Sequence, residues 1–276
     1  MSGSASGVSD GARRRPLPAL TPYVRSYEGY RLDGFPPGTH LGMPSPDVTV
    51  ILTISEPIEL PRRDERSPDR FDTLAGGLST RPVPIVHNGR QHGMQLALTP
   101  AGARALLGVP TAELGPWVVD LEDVIGGDSR ELSDRIAEAG SWEERFCVLD
   151  RVLARRLVSA RSTGPDRHLA HAWRLLVSDP ALPVRAVADE LGWSRRHLAN
   201  RFAREFGLSP KDVARVSRFD RSRQMLRAAP GRRLADIAAD CGFYDQAHLA
   251  REWRDLAGVP PSRWLEDEVF PFVQDE

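Results

Sequence analysis

A cysteine, an aspartate and a histidine lie within one short segment near the C-terminus. The segment CGFYDQAHL carries Cys241, Asp245 and His248. These groups could form a nucleophilic site or bind a metal ion. They are equally expected where a turn leads into a helix, with the cysteine in the core and the aspartate as a helix cap. We favour the turn, because His197 takes the place of His248 in a similar segment upstream, and a shared fold explains such a repeat better than a shared reaction.

Three histidines of the N-terminal half are a second candidate for metal binding. His40, His87 and His92 could line the inside of a barrel, and imidazole is a common zinc ligand. They lack the HxH or ExxxH spacing that would place two ligands side by side. The sequence therefore predicts no metal site and no other cofactor.

Other chemical groups of the N-terminal half are interpreted as structural. The adjacent acids at 122–123 and 143–144 adjoin predicted helix starts, where negative charge stabilises the helix dipole. Cys147 lies between Phe146 and Val148 in an amphipathic pattern and is predicted to be a core residue. The sequence accordingly predicts no catalytic residue.

The composition is typical of a globular protein of two domains. The chain has 276 residues, of which 41% are hydrophobic and 27% charged. Its longest apolar run, VTVILTI, is far too short to cross a bilayer, so no membrane partner is expected. Residues 1–18 lack the apolar core of a signal peptide and are predicted to be a disordered leader. Two cysteines without a CxxC pattern indicate free thiols and a cytoplasmic protein.

The net charge of −1 hides an uneven distribution. Residues 166–264 carry 18 Arg and Lys against 12 Asp and Glu, whereas residues 265–276 carry five acids and no base. Residues 1–165 are nearly neutral, with 19 bases against 21 acids. A basic segment beside a neutral one favours a nucleic-acid-binding module joined to another domain.

The order of predicted elements is strands first, then helices. The β-branched run at 48–54 predicts a buried strand, and the segments 84–89 and 92–100 predict strands on either side of a turn. Residues 58–71 are predicted to be a charged loop. After Pro100 the apolar spacing becomes helical.

Three helices are predicted before a linker. They cover 101–108, 129–139 and 141–162, and Ser141 with Glu144 forms a capping box at the start of the third. The segment STGPDR at 162–167 is the predicted linker, and only helices are predicted beyond it. This order favours an α+β chain, with a small β-rich domain followed by an all-α domain.

An internal repeat occupies the all-α part. Residues 184–213 and 234–264 match with an offset of 50 residues that becomes 51 after the turn. Each copy contains a helix, a turn opened by glycine (Gly192 or Gly242), and a second helix with Ser194 or Asp245 placed to cap it. This is the pattern of a helix-turn-helix unit.

The second helix of each copy has one apolar and one polar face. Leu198 and Phe202 in the first copy, and Leu249 and Trp253 in the second, fall on the faces predicted to be core. The opposite faces are polar and mostly basic, as in helices that enter a major groove. Between the copies, residues 211–227 form a continuous helix of about 26 Å. It can hold the two recognition helices close to one duplex turn apart, about 34 Å.

The repeat resembles the DNA-binding domain of the AraC/XylS transcription regulators. The resemblance covers roughly residues 166–264 and is carried by VADELGWSRRHLANRFAREFGLSP and LADIAADCGFYDQAHLAREWRDLAGVPPSRW. It implies two helix-turn-helix units joined by one long helix. Asn200 stands where that family often has arginine, and asparagine can pair with adenine. The recognition helices would cover about 194–206 and 245–256, and the implied DNA-binding residues are Arg195, Arg196, Asn200, Arg201, Arg204, Tyr244, Gln246, His248, Arg251 and Arg254.

The N-terminal half resembles the sensor domains of the same family, which are often small β-barrels of the cupin type with trailing helices. This implies a regulatory domain at 19–161, a DNA-binding domain at 162–268 and an acidic tail at 269–276. Double-stranded DNA is the expected partner. RNA polymerase, a small-molecule effector and a second copy of the chain, bound through the N-terminal domain, are further candidate partners.

Two other function classes are weighed against the regulator. Some relatives of this domain are joined to a DNA-repair methyltransferase, whose chemistry needs reactive cysteines in the N-terminal half, where Cys147 stands alone. A protein-binding adaptor would differ from a DNA-binding protein in its response to salt, because only DNA binding releases phosphate counterions.

Overall fold

The computed structural model describes residues 7–61, 69–160 and 164–267. Its strands lie in the N-terminal half and all later elements are helices, which confirms the α+β order. The described residues form ten strands: β1 Val8–Arg14, β2 Val24–Asp33, β3 Gly38–Gly42, β4 Val48–Thr53, β5 Ile58–Leu60, β6 Asp69–Phe71, β7 Thr73–Gly76, β8 Val83–His87, β9 Gln91–Leu98 and β10 Val118–Asp120.

The strands form two antiparallel sheets rather than one closed barrel. A six-stranded sheet has the order β1-β2-β9-β4-β7-β10, and a four-stranded sheet has the order β3-β8-β5-β6. The sheets face each other across a small apolar layer that includes Ile51, Leu74 and Ile85. The predicted strand VTVILTI is β4 at the centre of the larger sheet, with Val48 and Leu52 fully buried.

Helices cover the other face of the six-stranded sheet. The helical elements are α1 Pro100–Gly102, a π-helix Ala103–Leu107, a 3₁₀ helix Thr111–Leu114, α2 Leu121–Ile125, α3 Gly127–Glu138, α4 Trp142–Val158, α5 Arg167–Ser178, α6 Val184–Glu190, α7 Arg195–Phe206, α8 Pro210–Ala228, α9 Leu234–Asp240, α10 Gln246–Ala257 and α11 Pro261–Asp267. The Ser141–Glu144 capping box is present at the start of α4. Phe146 of α4 stacks on Tyr27 of β2, with 6.1 Å between ring centroids.

Two secondary-structure expectations for the N-terminal half are wrong. Within the expected disordered leader, residues 8–14 form β1, which pairs along its length with β2. The side chains of β1 are mostly exposed, and backbone hydrogen bonds hold this edge strand in place. Its sequence therefore lacks the alternation of apolar and polar residues that would have predicted a strand. Within the expected loop at 58–71, both ends form strands, and residues 62–68 lie outside the described residues.

Cys147 is exposed and does not belong to the core. The apolar stripe of α4 runs through Phe146, Leu149 and Leu153 at helical spacing, and Cys147 is turned about 100° away from it. The Cys147 Sγ lies 3.6 Å from a nitrogen of Arg14.

The largest apolar core continues past the linker. It runs from Leu20 through the helices that cover the sheet and includes Leu169 of α5, Phe202 of α7 and Ala214 of α8. A separate core begins at Val216 and contains the apolar residues of the last three helices. The two helix-turn-helix units are therefore packed differently, and the boundary between the cores falls inside α8.

Candidate DNA interface and effector cavity

The first recognition helix is α7. The Ser194 side chain accepts a hydrogen bond from the backbone N–H of His197 at 3.1 Å, and Gly192 has the left-handed φ of 67° that the preceding turn requires. Leu198 and Phe202 are fully buried. Burial of this face fixes which side of α7 points outward.

The predicted contact residues of α7 lie on its outer side. Arg195, Arg196, Asn200 and Arg204 are exposed. Arg201 is half-buried, with its guanidinium 5.8 Å from the centre of the Trp193 ring. The structure therefore leaves four of the five predicted residues exposed to solvent, while the fifth, Arg201, packs toward the turn.

The outer face of α7 carries no carboxylate of its own. Glu205, the one acid in the helix, turns inward and accepts two hydrogen bonds from Arg104 of the π-helix, at 2.5 and 2.6 Å. This ion pair is screened from solvent, since the Glu205 side chain is 9% exposed. The exposed arginines of α7 thus form a positive surface suited to phosphate.

The second recognition helix, α10, repeats this construction. Asp245 accepts a hydrogen bond from the backbone N–H of His248 at 2.6 Å, and Gly242 has a φ of 77°. Leu249 and Trp253 are fully buried, and the Trp253 indole donates a hydrogen bond to Ser222 of α8 at 2.9 Å.

Four of the five predicted contact residues of the second unit are exposed. Gln246, Arg251 and Arg254 are accessible, and Tyr244 is 92% exposed at the start of the helix. A tyrosine ring so open to water is typical of a binding surface. His248 is half-buried, and its Nδ1 accepts a hydrogen bond from the backbone N–H of Tyr244 at 3.2 Å, so it also orders the turn.

The cluster of Cys241, Asp245 and His248 is a turn that leads into α10. Cys241 is 1% exposed, and burial raises the pKa of its thiol to about 11, so the thiol stays protonated at neutral pH. The Asp245 carboxylate caps α10. A shared fold therefore accounts for the positions of these residues.

The three N-terminal histidines do not come together. His40 and His87 are neighbours across β3 and β8, with ring centroids 5.5 Å apart. His92 lies on the six-stranded sheet with its ring edge-to-face against Trp142. Residues 7–61, 69–160 and 164–267 contain no group of three side chains placed to hold a metal ion.

The long helix α8 sets the spacing of the two units. It has 19 residues, against 17 expected from the sequence, which corresponds to about 28 Å. Val213 and Ala214 pack in the first core, and Val216 and Phe219 in the second. One continuous helix therefore carries both units.

A cavity of about 730 Å³ lies between the two sheets and is closed on one side by α8. Phe35, Ile51 and Trp117 contribute apolar wall, and the neighbouring His40 and His87 contribute polar groups. The DNA-binding region contributes a stripe on α8, one residue just before α11 and one residue within it: Asp220, Arg223, Gln224, Arg227, Val259 and Trp264.

Charged groups concentrate where the sheets meet α8. Arg25 of β2 donates hydrogen bonds from its Nε and Nη2 atoms to the carboxylate of Asp47. Burial raises the pKa of the Asp47 carboxyl, and the negative charge of the nearby Asp220 carboxylate raises it further. The hydrogen bonds and positive charge of Arg25 lower the same pKa but do not cancel the rise. Asp220 is held by Arg223, at 2.7 Å, and by Gln224, at 2.8 Å.

Sequence reasoning missed this cavity. One signal was available: residues 220, 223, 224 and 227 are polar at i, i+3, i+4 and i+7, which gives α8 a polar stripe besides its apolar face. The strand residues of the wall come from segments far apart in the chain, and their sequence gives no comparable pattern.

Residues 187–267 match the family model described as a helix-turn-helix domain. This region is an AraC/XylS-type DNA-binding domain. A domain of this type supports a DNA-binding transcription regulator. No curated protein matches the chain.

Solved structures of ToxT from Vibrio cholerae share the fold over nearly the whole chain. ToxT from strain O395 is 13% identical, with a TM-score of 0.51, and covers 97% of this chain and 99% of its own. ToxT from strain SCE256, solved with a bound unsaturated fatty acid, is 12% identical, with a TM-score of 0.52 and full coverage of both chains. At this identity the likeness extends the shared fold beyond the AraC/XylS-type domain to the sheets. None of the helices within 7–61, 69–160 and 164–267 is long and apolar enough to pass through a bilayer.

Proposed function

We propose that the protein binds its operator by placing α7 and α10 in successive major-groove segments. Residues Arg195, Arg196, Asn200 and Arg204 of α7 are the contacts of the first segment. Tyr244, Gln246, Arg251 and Arg254 serve the second, and Arg201 and His248 contribute at the edges of the two surfaces.

The observation that carries this proposal is the matched exposure of two basic helix faces that are joined by one continuous helix. Both recognition helices bury their apolar side and present arginines. The N-terminal half of α7 has no carboxylate, and at the start of α10 the one exposed carboxylate is the cap, Asp245. Their connection by about 28 Å of helix is close to one duplex turn, about 34 Å.

The N-terminal region is proposed to sense a small molecule held in the cavity. Among the described lining residues, five arginines face three carboxylates, so a ligand with a negatively charged group would balance the site. The apolar wall suits an uncharged body. ToxT has been solved with an unsaturated fatty acid and with (E)-4-(8-methylnaphthalen-1-yl)but-3-enoic acid, both of which combine a carboxyl group with an apolar body.

The DNA proposal is tested by selecting genomic DNA fragments on the purified full-length protein at physiological salt. We expect a shared motif of two half-elements about one turn apart. We also expect the affinity for that motif to fall steeply with salt, because phosphate contacts release counterions. Recovery of fragments with no common motif, at an affinity independent of salt, would overturn the proposal.

The effector proposal is tested by calorimetric titration with oleic acid and with the naphthyl butenoic acid. Methyl oleate is the matched control, since it keeps the apolar body and removes the charge. We expect heat of binding for at least one acid and none for the ester, and a loss of acid binding in Arg223→Gln. Equal binding of acid and ester would contradict the role of the arginines.

A further inference from the structure

The two helix-turn-helix units differ in how firmly they are joined to the sheets. The first unit shares the large core with the N-terminal region, through residues such as Leu198 and Phe202. The second unit has a core of its own, against which Met43 is the one described apolar residue of the N-terminal half that packs.

Polar contacts also tie the first unit to the N-terminal region. Arg104 of the π-helix holds Glu205 of α7 through two hydrogen bonds, and Thr111 donates to the Glu205 carbonyl at 3.3 Å. The end of α7 lies close to the 3₁₀ helix, since a Cβ on Gly207 would lie 3.3 Å from the Cα of Ala112. Contacts of this kind restrict rotation of α7 against the sheets.

The second unit meets the sheets across the cavity instead. Val259 and Trp264 of this unit, with Arg223 and Arg227 of α8, form part of the cavity wall. A space of about 730 Å³ therefore lies between the second unit and the sheets, whereas packed side chains join the first unit to the N-terminal region. An interface that borders a cavity has fewer packing contacts to hold it in one position.

A local feature of α8 allows bending at the boundary of the two cores. Ser217 is buried, and its Oγ donates a hydrogen bond to the carbonyl of Val213, one turn earlier, at 2.8 Å. Such a bond competes with the backbone ladder, weakens the helix slightly and often bends it. The bond spans the boundary of the two cores, because Val213 packs in the first core and Val216, next to Ser217, packs in the second.

We propose that the first unit is a fixed part of the N-terminal region, and that the second unit swings about residues 213–217 of α8 until a ligand in the cavity holds it in place. This inference rests on the proposed effector role of the cavity. The ligand thereby sets the position of α10 relative to α7. The response of the protein to its effector is a change in the spacing of the two recognition helices, with α7 as the stationary reference.

The proposal is tested by distance measurements between paired nitroxide labels on the full-length protein. Cys147 is exposed on α4 and serves as the common anchor, in a Cys241→Ala background. The partner label is placed at Ala203→Cys on α7 or at Ala239→Cys on α9, both exposed positions. In the absence of added ligand we expect a narrow distance distribution for the α7 pair and a clearly broader one for the α9 pair. Equal widths would overturn the proposal, whatever the cavity binds.

Ligand is then added as oleic acid or the naphthyl butenoic acid, whichever binds by calorimetry. We expect the α9 distribution to narrow and the α7 distribution to stay unchanged. If an acid binds but the distance distribution of the α9 pair stays broad, ligand binding does not fix the second unit, and this proposal is overturned. The proposed effector site is not affected by that result. If neither acid binds, Ala97→Trp, which fills the cavity from β9, takes the place of ligand, and failure of this variant to narrow the α9 distribution overturns the coupling.

Two matched variants separate the fixed joint from the bending one. Ser217→Ala removes the back-bonded hydroxyl and is expected to narrow the α9 distribution without ligand. Ser178→Ala is its control, because Ser178 makes the same bond to Arg174 on α5, away from the boundary. Glu205→Gln is expected to broaden the α7 distribution. Glu252→Gln removes the pairing of α10 with Arg215 of α8, which does not involve α7, and is expected to leave the α7 distribution unchanged. If the distance distribution of the α7 pair has the same width in Glu205→Gln as in the unaltered protein, the ion pair does not fix the first unit.

Discussion

The two helix-turn-helix units have almost the same plan and very different surroundings. Each has a capped recognition helix, a left-handed glycine in its turn and a buried aromatic, Phe202 or Trp253. The first unit completes the core of the N-terminal region, and the second unit closes a core of its own. A repeated motif is therefore part of a larger folding unit in its first copy and forms a separate unit in its second.

Removal of the central aromatic residue of each unit should strongly destabilise the protein. Phe202→Ala and Trp253→Ala should each cost about 3–5 kcal/mol of unfolding free energy. Hydrogen exchange should show lost protection in both α7 and the sheets for Phe202→Ala, because they share a core. For Trp253→Ala the loss should stay within α9–α11 and the second half of α8. Loss of protection throughout the chain in both variants would contradict the division into two cores.

Substitution of one outer arginine in each recognition helix compares the two units on DNA. Arg196→Ala and Arg251→Ala should each lower the affinity for the selected operator by about 1–3 kcal/mol. Titration of labelled operator with each variant measures this loss. Arg174→Ala, an exposed arginine of α5 outside both recognition helices, is the matched control and should bind like the unaltered protein. A binding curve unchanged by Arg251→Ala would remove α10 from the interface.

Acid should loosen the N-terminal region before the second unit. Burial lowers the pKa of His40 to about 3 and that of His92 to about 4, from 6.5 in the unfolded chain. Both histidines are therefore neutral in the folded protein, and the stability that they contribute is present above pH 6.5 and lost as the pH falls from 6.5 toward 4. Hydrogen exchange at about pH 7 and about pH 5 should show reduced protection of β3 and β9 at the lower pH. A double variant with His40→Phe and His92→Phe should show a smaller pH dependence if it folds, and an unchanged one would contradict this origin.

Removal of the helix caps, in which the two units are most alike, should destabilise the protein only slightly. Ser194→Ala and Asp245→Ala each remove a side chain that accepts a backbone N–H at the start of a recognition helix. Each should cost about 1 kcal/mol of stability. Thermal unfolding should show the Ser194 loss in the transition of the N-terminal region and the Asp245 loss in that of the second unit. Ser209→Ala, at the N-cap of α8, is a comparison outside the recognition helices.

Features encoded by neighbouring residues could be predicted from the sequence. The caps at Ser194 and Asp245, the turn glycines and the extent of α8 all depend on residues a few positions apart, and the structure confirms them. The buried strand at β4 and the capping box at Ser141 are of the same kind. Periodicity and capping describe local backbone choices, so they find elements well.

Features that depend on distant pairing could not be predicted. Arg104 and Glu205 are separated by 101 residues, and neither has a local pattern that indicates the other. The polar strand β1 is recognisable only once β2 is available to pair with it. The cavity is assembled from several strands and α8, so it exists only in the folded chain. The ten predicted DNA contacts stay predictions, although eight of them are exposed as expected.

The position of the core boundary inside α8 has a consequence for how such regulators can exchange parts. A chimaera joined at the linker near residue 164 would separate Arg104 from Glu205 and cut through the shared core, leaving a foreign first unit against an unmatched surface. A junction after Ala214 would pass between the two cores and transfer the second unit with its own packing. Recombination between related genes should therefore succeed more often within α8 than at the linker, and the second recognition helix should be the part that is inherited independently.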